Sequence, residues 1–217
     1  MRASDQSISK VSKIAEKDRL IVAAARDHFL RDGFAVASMD AIARTAEVSV
    51  KTIYSHFANK DELFRKVMIA ACTDNFLSSE TPSEKVLRER FPWFREATRK
   101  GLTEAGHIYL GHLLLPEQLA LYRVVTRDAD RFPELGRHYH KNIAARRTAI
   151  LGAYLRSIVA KHGLPARDSS EDAAIYEALL RAGIFESALH GLLIITSEQI
   201  AKQAASAAKT MWKLLHA

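Results

Sequence analysis

Apolar residues along this chain recur at intervals of three and four, the period of the α-helix, and no stretch of weight alternates with period two. The first stripe runs from Val11 to Arg31 and consists of Ile14, Ile21, Ala25 and Phe29, with Val22 and Leu30 beside them. Asp32-Gly33 closes it, the glycine being suited to the left-handed residue that ends a helix. Ser38 then offers an N-cap hydroxyl, and Met39, Ile42, Ala43 and Ala46 follow at helical spacing. Val48 and Ser49 make a turn, Ser49 caps a second short helix, and Ile53 and Phe57 lie four apart on its inner face. Helices this short do not stand alone. The long first stripe is the element that covers them both. Asn59 caps a fourth helix, from Lys60 to about Leu77, in which Asp61 and Glu62 complement the dipole and Leu63, Phe64, Val67, Met68 and Ala71 form the apolar face.

A polar link, Ser78 to Pro82, follows, and then more helical spacing. Residues 83–100 carry Val86, Leu87, Phe91, Trp93, Phe94 and Ala97, with a kink or break predicted at Pro92. Gly101 and Gly106 are expected to bracket a short connection before the apolar run 108–115. Helices are predicted over 116–130, 134–162 (closed by Gly163-Leu164-Pro165), 168–193 and 197–215. The expectation is an all-α chain of nine to ten helices: a frayed tail over 1–10, a helix-turn-helix domain over 11–58 and a helical domain over 59–217.

Composition narrows the class. The chain has 217 residues, of which 48% are hydrophobic, enough for a substantial core. The formal net charge of +7 favours a polyanionic partner. Cys72 is the single cysteine, so no internal disulfide forms and a reducing compartment fits. Residues 1–13 lack an apolar signal segment, and no apolar run approaches the ~20 residues that span a bilayer. A cytoplasmic protein without membrane attachment is expected. There is no GxSxG, no P-loop and no carboxylate pair at acid–base spacing, which argues against an enzyme. His107 with His112, and His138 with His140, lack the shared helical face that chelation needs, so no metal or cofactor is expected, and Cys72 reads as a buried structural thiol.

The two short helices carry the chemistry. A helix laid in the major groove of B-DNA brings a few side chains to base edges, while its neighbours hold phosphates. Lys51 and Thr52 lie in the first turn of the second short helix, Tyr54 two residues on and His56 near its end. Val50 is suited to a thymine methyl, Ser38 and Arg44 to phosphates, and Lys60 brings an ammonium to the start of the fourth helix.

Residues 18–68 resemble the N-terminal DNA-binding domain of the TetR family of bacterial transcriptional repressors. The matching residues are Ala24 to Phe34, ending "FxxxGF", then Ser38 to Ala43, Ala46 to Ser49, Thr52 to Phe57, and Asn59 to Leu63. The resemblance implies that Thr52, Tyr54, His56 and Lys60 touch DNA, and that Val50 and Lys51, just after Ser49, hold variable reading positions. The family has Gly where this chain has Glu47, which is strained if the turn needs a positive φ. Residues 115–133, LPEQLALYRVVTRDADRFP, resemble a stretch recurrent in one subgroup.

The resemblance further implies a C-terminal part that binds a small-molecule effector and pairs two copies. Small and apolar positions suited to a homodimer interface are Ala178, Leu179, Ala182, Gly183 and Glu186 on one helix, and Ile200, Ala204, Ala207, Ala208, Met211 and Leu215 on the last. Both stripes also suit a monomer core. Candidate pocket residues are Trp93, Phe94, Ile108, Tyr109, Leu113, Tyr122, Tyr154 and Phe185. Arg137, Lys141, Arg146, Arg147, Arg156 and Lys161 make residues 137–161 basic with no Asp or Glu among them. They form either a solvated face or one with a cation reaching inward to an anionic effector. The function read from the chain is a ligand-responsive repressor on double-stranded operator DNA. The alternative is an all-α scaffold whose helix-turn-helix binds nothing.

Overall fold

The computed structural model describes residues 3–73, 83–130 and 132–217, and side chains within them from 16 to 67 and from 83 onward. The regular elements are helical throughout, with no strand among the described residues. In chain order they are α1 (Ala3–Val36), α2 (Met39–Thr45), α3 (Val50–His56), α4 (Lys60–Thr73), α5 (Glu84–Arg90), α6 (Pro92–Arg95) and α7 (Arg99–Leu113). There follow α8 (Pro116–Asp128), α9 (Pro133–Tyr139), α10 (Ala145–His162), α11 (Ser169–Arg181), α12 (Ile184–Leu189) and α13 (Ser197–Leu215). A single π turn, His140–Ala144, joins α9 to α10. The chain forms two compact units, residues 1–74 with 120–139 and residues 75–119 with 140–217.

In the first unit, α1 packs on α2 and α4. Ile21, Ala25 and Phe29 meet Ile42, Ala43, Ile53, Phe57, Leu63, Phe64 and Val67 in a core from which water is excluded. At about 1.5–3 kcal/mol for each large apolar side chain buried, this core is what holds two seven-residue helices that are unstable alone. Phe34, Phe64 and Phe132 close one end: the Phe34 ring lies 5.1 Å from Phe64 and 4.5 Å from Phe132. His28 bonds across to α2. Its Nδ1 accepts from Arg31, its Nε2–H donates to Thr45 Oγ1 at 2.8 Å, and that hydroxyl donates on to the Ala41 carbonyl. Asp128, buried near the C-terminus of α8, accepts the Phe34 backbone N–H at 3.0 Å.

In the second unit α13 lies along α7 and α11, and α10 packs on α11. Trp93, Phe94 and Tyr154 form one aromatic cluster, with Tyr154 5.0 Å from Trp93 and 5.3 Å from Phe94.

Several boundaries follow the hydrophobic pattern. Ser38, Ser49 and Asn59 accept the backbone N–H groups of Ala41, Thr52 and Glu62, as caps do. Gly33 leaves the helical path with φ 80, Pro92 opens α6 after a break, Gly163 ends α10 in the left-handed conformation, and α13 has its expected limits. Other expectations are corrected. The tail expected to be frayed over 1–10 is helical from Ala3. Gly101 and Gly106 do not bracket a connection but lie inside α7. A Cβ at Gly101 would fall 2.3 Å from the Tyr154 hydroxyl oxygen, and one at Gly106 2.5 Å from that of Tyr176, so both glycines permit close approach of other helices. The helix expected over 168–193 stops at Arg181, because Gly183 takes φ 76, and resumes as α12. The helix over 134–162 is interrupted by the π turn. The link 78–82 and the side chains of Met68, Ala71 and Cys72 lie outside the described residues.

Candidate nucleic-acid interface

Helix α3 is held on one side and open on the other. Ser49 starts it: its Oγ accepts the Thr52 N–H at 3.0 Å and lies 2.8 Å from Thr52 Oγ1. Ile53 and Phe57 are buried. With 3.6 residues per turn, Tyr54, Lys51 and Ser55 then share an arc of about 100° turned away from them, and Val50 lies at the edge of the buried side. Lys51 is exposed, Tyr54 is 52% exposed, and Val50 and Thr52 are half-buried. Ser55, absent from the expected set, is also exposed, with its hydroxyl donating to the Thr52 carbonyl.

His56 is placed differently from the expectation of a DNA contact. Its side chain is only 11% exposed, and its Nδ1 bonds to the Asp18 carboxylate on α1. It pins α3 to α1. Asp18 was not foreseen, because it lies 38 residues away and only the folded chain brings the two together.

Around α3 the remaining residues stand as follows. Ser38 and Arg44 are exposed at the two ends of α2, with the Ser38 hydroxyl committed to its cap. Lys60, first in α4, donates from Nζ to the Ala35 carbonyl at 3.2 Å and lies 4.7 Å over the Phe34 ring. It thus ties α4 to the end of α1 while presenting positive charge there. The turn between α2 and α3 contains Glu47 at φ 54, the one positive-φ residue other than glycine among the described residues. The Val48 N–H reaches the Ala43 carbonyl at 3.0 Å, and the Glu47 N–H the Arg44 carbonyl at 3.2 Å. Those bonds close the end of α2 and require the left-handed residue between them.

The expected pocket residues do not surround one space. Trp93, Phe94 and Tyr154 fill their cluster, and the Tyr154 hydroxyl donates to the Glu96 carbonyl at 2.6 Å. Tyr109 and Phe185 meet at Arg181, which donates to the Tyr109 hydroxyl oxygen at 3.1 Å and lies 4.8 Å over the Phe185 ring. Leu113 is buried and Ile108 half-buried on α7, whereas Tyr122 belongs to the first unit, 5.9 Å from Tyr139. A cavity of about 460 Å³ that was not foreseen is lined by Glu84, Leu87, His140, Thr148, Arg156 and Ser169, among others, and by none of the expected pocket residues.

The expected dimer stripes separate. Ala204, Ala207, Ala208, Met211 and Leu215 are buried within their own unit and Ile200 is half-buried, so the last helix's stripe is monomer core. Ala178, Ala182, Gly183 and Glu186 are exposed and Leu179 half-buried. Beyond them Leu192 is 78% and Ile194 91% exposed.

The sequence matches two family models: residues 21–67 the model for bacterial regulatory proteins of the tetR family, and residues 100–214 that for the C-terminal domain of AefR-like transcriptional repressors. Among solved structures, a TetR-family transcriptional regulator from Mesorhizobium loti superposes with a TM-score of 0.76 at 24% identity, covering 93% of this chain and 97% of its own. The flavonoid-responsive regulator FrrA superposes with a TM-score of 0.73 at 26% identity, covering 92% and 97%. A TetR-family regulator from Pseudomonas syringae pv. tomato gives 0.60 at 25% identity, covering 90% and 94%. No curated protein matches the sequence.

Proposed function

The chain belongs to the TetR family of bacterial regulatory proteins, and from that membership we propose that it is a homodimeric repressor which leaves its operator when a small molecule binds its C-terminal helical part. Family membership makes it a DNA-binding transcriptional regulator and not an enzyme. The observation that carries the finer reading is the face of α3: it is anchored by Ile53, His56 and Phe57 and turns Lys51 and Tyr54 outward.

In this reading residues 11–58 form the DNA-binding domain and residues 59–217 the effector and dimerisation domain. Lys51 and Tyr54 meet base edges, with Val50 against a thymine methyl. Ser38, Arg44, Ser49, Thr52 and Lys60 meet phosphates, and His56 acts through the aim of α3. One reading helix covers only a few base pairs, so a two-fold pair on a palindrome supplies the rest of the specificity. The surface we assign to the dimer is the exposed one, Ala178, Ala182, Gly183 and Glu186 with Leu192 and Ile194, the last two large apolar side chains that a second copy would cover. Effector binding moves α4 and changes the separation of the two reading helices, which must enter grooves about 34 Å apart. FrrA, a flavonoid-responsive regulator of the same fold, supports a small-molecule effector. No helix among the described residues is long and apolar enough to cross a membrane. In this reading the protein works on DNA in the cytoplasm.

Selection of bound sequences from random duplex DNA tests this. The expected product is a palindrome whose half-sites lie one helical turn, or a multiple of it, apart. In gel shifts on that sequence, Lys51→Ala and Tyr54→Ala weaken binding by about 1–3 kcal/mol each without unfolding the protein. Lys60→Ala weakens all duplexes alike and lowers the salt slope by about one. Unchanged affinity in all three variants, or no salt-dependent duplex binding at all, would sink the reading in favour of a scaffold.

A further inference from the structure

Of the six basic side chains in residues 137–161, Arg147 is turned inward and only 3% exposed, whereas Arg156 borders the unforeseen cavity of the second unit. That cavity, about 460 Å³, has the size of a small-molecule site. Its long wall is one face of α10, made of Ala145, Thr148, Ala149, Gly152, Ala153 and Arg156 at spacings of three and four. The Thr148 hydroxyl is shared between the Ala144 carbonyl at 3.1 Å and the Glu177 carboxylate at 2.9 Å, so its methyl group is what remains for the groove. Leu87 of α5 adds a second apolar wall. At 1.5 Å per residue the face from Ala145 to Arg156 is about 16 Å long, the length of an extended acid of about ten carbons.

The two ends of the groove differ. At one, His140 lines it together with Ala145. An α-helix would carry residues five apart to different faces, but the π turn His140–Ala144 makes five residues one turn and brings the two into line. At the other end Arg156 donates to Ser169 Oγ at 2.8 Å. Gly152 permits that approach: a Cβ there would fall 2.9 Å from the Ser169 carbonyl oxygen. One neutral hydroxyl engages one of the five guanidinium N–H groups, and the side chain is exposed. Acids of α5 and of the start of α11 are already engaged. Glu84 pairs with Arg88 at 2.9 Å, Asp172 with Arg167 at 3.0 Å, and Asp168 accepts the Ser170 and Glu171 N–H groups. Ser169, having accepted from Arg156, has its own hydrogen to give, and Ser170 lines the groove with a second hydroxyl. This end therefore offers a cation and two O–H donors to an anion.

The geometry points to a site for a medium-chain monocarboxylic acid. The carboxylate pairs with Arg156, Ser169 and Ser170, and the aliphatic body lies along the alanine face of α10 against Leu87, towards His140. This rests on the effector reading above and names the chemical class that reading leaves open.

The test uses the full chain in calorimetry, with hexanoate, octanoate and decanoate below micelle formation, and octanamide beside octanoate. Affinity rises about two- to fourfold for each added CH₂. Octanoate binds about fivefold or more tightly than octanamide, because the charge-assisted pair is lost in the amide. Arg156→Gln brings the acid down to the amide, and Arg156→Lys keeps part of the preference. Ala149→Leu blocks the groove and abolishes binding. Both positions are exposed and leucine is a good helix former, so these variants keep the wild-type thermal midpoint. Arg137→Gln, an exposed cation that does not line the groove, binds as wild type. No acid bound, an affinity flat in chain length, octanamide bound as well as octanoate, or undiminished binding by Ala149→Leu overturns the assignment. Operator gel shifts separate the two readings. Release by a different molecule with no acid bound keeps the effector reading and removes this site, whereas acid bound in the groove without release of the operator keeps the site and removes it as the effector's.

Discussion

Glu47 takes the chain through the turn between α2 and α3 at φ 54, with its side chain exposed. A residue with a Cβ costs roughly 1–2 kcal/mol in that region, and the Glu47 carboxylate stands in solvent. Glu47→Gly is therefore expected to stabilise the chain by about 1 kcal/mol, a rise of roughly 2–4 °C in a thermal scan. A scan showing no rise would mean that the turn is not strained. The expected glycine position was visible in the sequence, but the sign of φ was not. His56 makes the converse case. Its place in the motif suggested DNA, yet Asp18 draws it inward. Tyr54, half exposed two residues earlier, can lose its ring with little effect on stability, whereas Ile53→Ala would cost about 2–5 kcal/mol. For that reason Tyr54→Ala, and not a change at Ile53, isolates the interface.

At the scale of elements, the C-terminal end of α8 grips the C-terminal end of α1. The Phe34 N–H donates to the buried Asp128 carboxylate, Arg127 donates to the same carboxylate at 3.1 Å, and Phe132 packs on Phe34. Gly33 has just left the helix, so its neighbour's N–H needs this acceptor in place of a helical carbonyl. Asp128→Ala would leave that N–H buried and unmet, at about 1–3 kcal/mol. Denaturant unfolding should register the loss, and amide exchange should show Phe34 deprotected. Asp130→Ala, at an exposed position, should stay within about 0.5 kcal/mol of wild type. Equal effects from the two would show the clamp to be idle. Sequence periodicity located α8, but its grip on α1 joins residues 94 apart, which no local pattern records.

The whole molecule carries its formal charge of +7 mostly outside, but Arg147 brings one cation in. His112 feels it, and from this a pH dependence follows. The folded pKa of His112 lies near 4, below its ordinary 6.5, so between those values the unfolded chain binds a proton that the folded chain refuses. The stabilisation from keeping His112 neutral is complete above pH 6.5 and is lost as pH falls towards 4. Thermal midpoints should drop over that window, and His112→Gln should flatten the drop by the contribution of about one proton. An identical slope in the variant would show that His112 is not the group responsible.

Helical period, caps and the turn before α3 follow from the sequence alone, because they depend on residues three or four apart and on local backbone preference. The outward face of α3 belongs here as well, since helix geometry ties Lys51 and Tyr54 together once Ile53 and Phe57 are buried. What required the tertiary structure depends on partners distant in sequence. Gly101 and Gly106 of α7 proved to be contact points rather than breaks, the α13 stripe proved to be the chain's own core, and one arginine of a basic run turned inward. In each case the residue type permits two environments of similar local energy, and only the elements packed against it select one.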